Sequence, residues 1–233
     1  MTVAVVTPVY ANAATLAELN RRVAGALHDQ AWTLRFVVDA SPDDSLAVAH
    51  GLAAGDSRLR VTSLARNAGQ NRALVAGLAA GADAEAWVCL DADLQDPPEA
   101  IPLLLDRLAA GDAGVVFAGR RGAYESRARR LTGDLHRLAM ARLTGLPADA
   151  GAFLAMDRPS RDRLLALDPP GIVAGVGAAA IPCASVPVER SPRPTGTSAW
   201  TVQARARQSA RSLAWAWRTT SSMRRNARSG SSG

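Results

Sequence analysis

Two hydrophobic periods alternate along the first half of the chain. Residues 3–6 form a continuous apolar, mostly β-branched run closed by Thr7-Pro8, which reads as a buried strand. Between residues 15 and 27 the apolar positions are Leu16, Leu19, Val23 and Leu27, the spacing of one helical face. The alternation then repeats. Strands are predicted at 34–38, 59–64, 87–90 and 115–118, and helices at 41–54, 70–81 and 98–109, the last with Pro97 and Pro98 at its start. Strands alternating with helices of this length predict βαβ units, hence an α/β fold with a mostly parallel sheet flanked by helices.

The second half is less regular. Residues 127–143 fit a basic amphipathic helix, 152–156 a strand and 159–167 a helix. Residues 171–180 are small, apolar and ambiguous between helix and strand. Val186-Pro187-Val188 reads as a short strand before a Pro/Gly-rich loop at 191–196, and 201–218 as a last helix.

Composition narrows the class. With 233 residues and 48% hydrophobic content, the chain suits one globular domain with a sizeable core. Cys89 and Cys183 lack the spacing of a disulfide framework or a zinc site. His28, His50 and His136 lack metal-ligand spacing too. There is no lysine, so all the cationic charge is arginine, whose planar fork fits phosphate bidentately. The net charge of +6 admits nucleic acid, an anionic membrane surface or a phosphorylated ligand as partner. Aromatics at 4% are too few for a nucleic-acid stacking platform, which removes the first. No apolar run approaches the ~20 residues that span a bilayer, and the N-terminus has no signal-peptide pattern. No dinucleotide fingerprint or P-loop is present.

The candidate chemistry begins at Asp91-Ala92-Asp93-Leu94-Gln95-Asp96-Pro97-Pro98-Glu99, directly after the apolar run Ala86-Trp87-Val88-Cys89-Leu90. Two carboxylates at a strand exit suit a hard cation such as Mg²⁺ or Mn²⁺, which is commonly held by one or two carboxylates plus substrate phosphates. A solvated acidic turn is the plainer account of such a triplet. Ligands of open α/β sheets sit at the carboxyl ends of strands, where Thr7-Pro8-Val9-Tyr10, residues 39–44 and Arg66-Asn67-Ala68-Gly69 are also predicted to gather.

These pieces resemble a known family. Val5-Val6-Thr7-Pro8-Val9-Tyr10, Val37-Val38-Asp39-Ala40-Ser41-Pro42-Asp43-Asp44-Ser45, Arg66-Asn67-Ala68-Gly69-Gln70-Asn71 and residues 90–99 match, in order and spacing, the family-2 glycosyltransferases. The match is most similar to the branch of dolichol-phosphate mannose synthases and bacterial polyprenyl-phosphate sugar transferases. Thr144-Gly145-Leu146, residues 149–153 and 190–198 match more weakly. The resemblance implies a GT-A fold, a nucleotide-diphosphosugar donor, a divalent metal and inversion at the anomeric carbon. By position it implies that Pro8, Val9, Tyr10, Asp39, Arg66, Ala92 and Arg190 serve the nucleotide-sugar, and that Asp91, Asp93 and Gln95 serve metal and diphosphate. Asp93 is the implied direct ligand. Arg193 and Ser198 fall in a basic loop that closes over phosphates, and Arg120 and Arg130 where this branch binds an acceptor phosphate. The implied boundaries are 1–200 for the GT-A domain (donor half 1–118, acceptor half 119–200), 201–220 for a basic amphipathic helix and 221–233 for a disordered tail.

Three departures stand out. The family's Asn-Glu after Pro-X-Tyr is Ala11-Asn12, its paired aspartates after the second strand are Val38-Asp39, and its Gly-Asp-Phe-Arg is Gly151-Ala152-Phe153-Leu154. Asp149 is the nearest acid and the substitute candidate for a base. A polyprenyl phosphate, largely a dianion at pH 7, needs cations more than a base, so it is the favoured acceptor. A soluble hydroxyl acceptor and a non-catalytic nucleotide-sugar-binding or partner subunit remain alternatives. Trp200, Trp215 and Trp217 interleave with Arg205, Arg207, Arg211 and Arg218, which suits a membrane interface, while a basic amphipathic helix of this kind can also dock on the domain as core. The expected location is cytoplasmic, peripheral on the inner face of the cell membrane.

Overall fold

The computed structural model describes residues 1–81, 83–121, 146–147, 149–191 and Trp215, and of Arg120 and Arg121 the backbone alone. The strands are β1 (Thr2–Val9), β2 (Ala31–Val38), β3 (Leu59–Ser63), β4 (Ala86–Cys89), β5 (Val115–Arg121), β6 (Leu154–Asp157) and β7 (Cys183–Glu189). The helices are α1 (Leu16–Ala26), α2 (Ser45–Gly55), α3 (Gln70–Ala79), α4 (Ile101–Ala109), α5 (Arg158–Ala166) and α6 (Ile172–Ala178). The predicted helix at 98–109 starts as a 3-10 turn, Pro98–Ala100: Pro102 has no N–H to close an α-bond to the Pro98 carbonyl, which the Ile101 amide takes instead. The ambiguous segment at 171–180 is helical over α6. The helices predicted at 127–143 and 201–218 lie outside the described residues, Trp215 apart, as do Arg130, Arg193 and Ser198.

The seven strands form one sheet in the order β3-β2-β1-β4-β6-β5-β7. The pairings β1–β2, β1–β4, β2–β3 and β5–β7 are parallel, while β6 runs antiparallel between β4 and β5. From β1 the chain winds outward through β2 to β3, then returns to place β4 on the other side of β1. The carboxyl ends of β1 and β4 therefore flank a topological switch point, the place where open α/β sheets bind ligands.

Alternation along each strand makes two cores. Val3, Val5, Leu34, Phe36, Val88 and Val116 face α1, α2 and α4. Ala4, Val6, Trp87, Cys89, Phe117 and Leu154 face α3, α5 and α6. Phe36, Trp87, Phe117 and Phe153 are fully buried, each worth about 1.5–3 kcal/mol or more of transfer free energy. On the second face α3 lies so close to the sheet that a Cβ on Gly77 would stand 2.3 Å from Val6 Cγ1 and 2.7 Å from Val37 Cγ2. The glycine lets α3 lie directly against β1 and β2.

Pro8 sits inside a central strand, where a proline normally costs a ladder bond. Pairing of β1 with β4 ends at Val6–Cys89, so the amide that Pro8 lacks faces the space beyond the end of β4. No helix among the described residues is long and apolar enough to cross a membrane.

Candidate functional site

Four loops meet at the switch point. Asp39, 2% exposed, follows β2 and accepts the main-chain amides of Ala68 (2.6 Å) and Gly69 (2.7 Å), one on each carboxylate oxygen. Gly69 holds φ 86°, ψ 151°, a region open to glycine almost alone, and this turns its N–H onto Asp39. The loop after β3 is thereby fixed to the loop after β2. Gln70, the first residue of α3, donates its side-chain amide to Oδ1 of Asp91, joining that loop to the exit of β4.

The acidic turn is tightly built. Asp93 is 8% exposed, and its Oδ1 accepts the Gln95 amide at 3.0 Å. Leu94 between them holds φ 59°, and Thr15 donates to the Ala92 carbonyl at 2.6 Å. Asp96, 2% exposed, takes both arms of Arg190, Nε at 2.5 Å and Nη2 at 2.9 Å. The Ser191 amide donates to the Gln95 carbonyl at 3.0 Å, so the chain leaving β7 is tied to the same turn. Burial works against charge on Arg190, but its bonds to Asp96 and the charges of Asp96, Asp91 and Asp93 raise its pKa above the ordinary value. Three left-handed non-glycine residues, Ala11 (φ 53°), Ala40 (φ 47°) and Leu94, sit in these loops. Each costs on the order of 1 kcal/mol, strain of the kind that collects where surrounding contacts over-determine a functional geometry.

Asp149 belongs to the same edge. Cys89 and Phe117 both pair with Leu154, so Gly119, two residues on, is level with Asp91. Two strand spacings put them about 10 Å apart across the sheet. Ser185 Oγ donates to Asp149 Oδ2 at 2.9 Å, and a Cβ on Gly119 would lie 2.0 Å from that oxygen. The missing side chain at Gly119 is what gives the carboxylate its seat.

The residues singled out from sequence divide accordingly. Asp39, Asp91, Asp93, Gln95 and Arg190 come together, with Tyr10, 39% exposed, and exposed Arg66 on flanking loops. Pro8, Val9 and Ala92 are buried, and the Val9 and Ala92 side chains pack into the first core, leaving these two only main-chain groups to offer. The Val9 carbonyl is already taken by the Asp39 amide at 3.0 Å. Gln70, Asp96 and Ser185 were not singled out as site residues. Gln70 and Asp96 do lie inside the matched motifs, whereas nothing local marks Ser185. The two cysteines take no part. Burial raises the Cys89 thiol far above its ordinary value, with a smaller push from the Asp91 charge, and raises Cys183 to about 11.

The donor set fits a hard divalent cation. Asp91 and Asp93 offer carboxylate oxygens two residues apart at a strand exit, in a turn whose backbone is fixed on three sides. Among the described residues no group of three or more His, Cys, Asp or Glu gathers. The pair is thus the kind of partial site that is completed by phosphate oxygens and water.

Comparison with known proteins follows the same lines. Residues 4–164 match the model of glycosyl transferase family 2. The chain is 38% identical over 146 residues to an undecaprenyl-phosphate 4-deoxy-4-formamido-L-arabinose transferase of Sodalis glossinidius, covering 61% of this chain and 44% of that one. With the transferase of the same name from Pseudomonas fluorescens it shares 37% over 169 residues, 70% and 49% of the two chains. The chain spans about half the length of these curated relatives. Among solved structures it is similar to a glucosyl-3-phosphoglycerate synthase from Mycobacterium tuberculosis in complex with Mn²⁺, uridine-diphosphate and phosphoglyceric acid. The TM-score is 0.68 and the identity 20%, over 94% of this chain and 78% of that one. A mannosyltransferase from Pyrobaculum calidifontis in complex with GDP-Man and Mn²⁺ gives 0.65 and 19%, over 93% and 64%. At such identities the likeness carries the fold, and the GT-A architecture implied by the sequence holds.

Proposed function

The chain belongs to glycosyl transferase family 2, and from that premise we propose that it moves a sugar, with inversion, from a nucleotide-diphosphosugar to a polyprenyl phosphate. The observation that carries this reading is the Asp91/Asp93 turn at the exit of β4, beside the β1–β4 switch point and cross-braced by Asp39, Gln70 and Arg190. Relatives named for undecaprenyl phosphate support the acceptor class.

In this reading Tyr10, Asp39 and Arg66 flank the nucleotide, with Pro8, Val9 and Ala92 supplying the floor and Arg190 the far wall. Asp91 and Asp93, with Gln95 beside them, would hold Mg²⁺ or Mn²⁺, which when bound neutralises charge developing on the departing nucleoside diphosphate. An acceptor oxygen attacks the anomeric carbon from the face opposite the diphosphate. The new C–O bond forms as the bond to the diphosphate breaks, and the electron pair leaves with the nucleotide. A phosphate monoester, with a second pKa of about 6, arrives mostly deprotonated. It asks for cations, a role we assign to Arg120, Arg130 and Arg193, with the Ser198 hydroxyl as a further hydrogen-bond donor. The site of action is the cytoplasmic face of the membrane, approached peripherally, with residues 201–220 as the contact. The boundaries 1–118, 119–200 and 221–233 belong to the same proposal.

Mixing the protein with undecaprenyl phosphate, Mn²⁺ and a panel of UDP-, GDP- and dTDP-sugars should release nucleoside diphosphate from at least one donor, and EDTA should stop it. Absence of release from every donor, with Mn²⁺ raising the melting temperature, would sink the proposal.

Asp149 favours a second reading, a hydroxyl acceptor, because a carboxylate seated level with Asp91 is where a general base would be needed. Asp149→Asn decides between them. Transfer to a hydroxyl should fall by about 10²–10⁴-fold, the usual worth of a positioned base. Transfer to a phosphate should stay within about twofold.

A further inference from the structure

The turn that carries Tyr10 out of β1 is held from outside itself. All four of its main-chain amides donate to side chains. Tyr10 donates to Asn12 Oδ1 (3.3 Å), Ala11 to Ser41 Oγ (2.8 Å), Asn12 to Ser45 Oγ (3.1 Å) and Ala13 to Asp43 Oδ2 (3.1 Å). Three of these acceptors lie on the segment after β2, some 30 residues away. Both serine hydroxyls in turn donate to Asp43 Oδ1, at 2.5 Å and 2.6 Å. With each hydroxyl proton committed to Asp43, the serine lone pairs are left to face the turn amides. Asp43 therefore orients two acceptors and supplies a third.

The network spans two strained positions, left-handed Ala11 in the turn and left-handed Ala40 just before Ser41. Asp43 is the group these contacts share, accepting from Ser41, Ser45 and the Ala13 amide. Burial acts to raise the Asp43 pKa, but the bonds from Ser41, Ser45 and the Ala13 and Ser45 amides outweigh it and bring it down to about 2. A depressed carboxylate stabilises above its unfolded value and loses that contribution as pH falls through its folded one. The clamp is thus complete at neutral pH and opens only toward pH 2.

We propose that Asp43, acting through Ser41 and Ser45, is a positioning residue for the nucleotide-sugar: it fixes residues 10–13 in the strained turn that presents Tyr10 to the donor. The inference rests on the nucleotide site proposed above. A merely structural Asp43, serving only the start of α2 through the Ser45 amide, would lower the melting temperature and leave donor affinity alone.

The test compares D43N, S41A and S41T in the full chain, by calorimetric binding of the nucleoside diphosphate that the wild type binds and by steady-state transfer. D43N should raise donor KM and nucleotide Kd about tenfold, about 1.4 kcal/mol. Acceptor KM and kcat should stay within about twofold, the pattern of lost uniform binding. S41A should weaken donor binding in the same way, and S41T, which restores the hydroxyl, should bind as the wild type does. If D43N fails to fold, the S41A and S41T pair carries the same comparison. Wild-type nucleotide affinity in folded D43N, or in S41A, overturns the inference. A wild type that binds no UDP, GDP or dTDP overturns the nucleotide site itself, and the inference with it.

Discussion

Asp93→Asn should cut sugar transfer by roughly 10²–10³-fold, the usual cost of removing one preorganised stabiliser of transition-state charge, and leave the fold intact. The substitution separates structure from charge. Asparagine keeps a side-chain oxygen to accept the Gln95 amide, now 3.0 Å from Oδ1, so the turn and its left-handed Leu94 are retained. What disappears is the negative charge on a nearly buried group at the exit of β4. A hard cation loses a ligand there, and the leaving diphosphate loses its counter-charge. The rise in melting temperature on adding Mn²⁺ should shrink in parallel, which ties the kinetic loss to the metal. Full turnover in the variant, with the Mn²⁺ response unchanged, would remove Asp93 from the site.

The second large effect falls on stability. Arg190→Met should cost about 3 kcal/mol, because breaking a buried pair strands its partner's charge. The partner is Asp96, 2% exposed on its side chain, whereas Arg190 retains 20% exposure, which places the cost at the low end of that class. The loss should appear in urea unfolding of the protein without nucleotide, since it belongs to the fold. Changing both members, Arg190→Met with Asp96→Leu, should recover most of it, since two packed apolar groups leave no orphan charge. If the single change is as mild as a surface ion pair, within about 1 kcal/mol, the pair is solvated and the bracing of the acidic turn by β7 is not real.

Much of this site was legible in sequence because the motif residues are local. A strand that stops at Asp-X-Asp shows its carboxylates in three consecutive residues, and Gly69 before Gln70 marks both a strained turn and a helix start. Val9 and Ala92 show the limit of that reading. They stand inside matched motifs, yet their side chains point into the first core. A motif records which residues recur around a site without recording which atoms face it. The long-range bonds were illegible for a related reason. Asp39 with Gly69 and Ser185 with Asp149 are separated by 30 and 36 residues, and no periodicity encodes a contact between loops.

Element by element, local pattern and local geometry account for most of the strands and helices. The small-residue segment that became α6 had no polar face to give a period, since Ile172, Ala174, Gly175, Val176, Gly177 and Ala178 are all buried. Pro187 made β7 read short, yet the strand runs from Cys183 to Glu189, because among the described residues β7 lies at an edge of the sheet, where a missing N–H costs no ladder bond.

The amino-acid sequence by itself determined the alternation of strands and helices, the excess of arginine and the identity of the acidic turn. The first and last of these are set by neighbours within a few residues, and the second by composition. The tertiary structure alone decided the strand order and the antiparallel insertion of β6. From these follow the switch point beside β4, the level placing of Asp149 with Asp91, and the clamp that Asp43 closes on the Tyr10 turn. These depend on which strands pair, and pairing is a property of the whole sheet: each strand's apolar faces are satisfied by several possible neighbours, and only simultaneous burial of both cores selects one order.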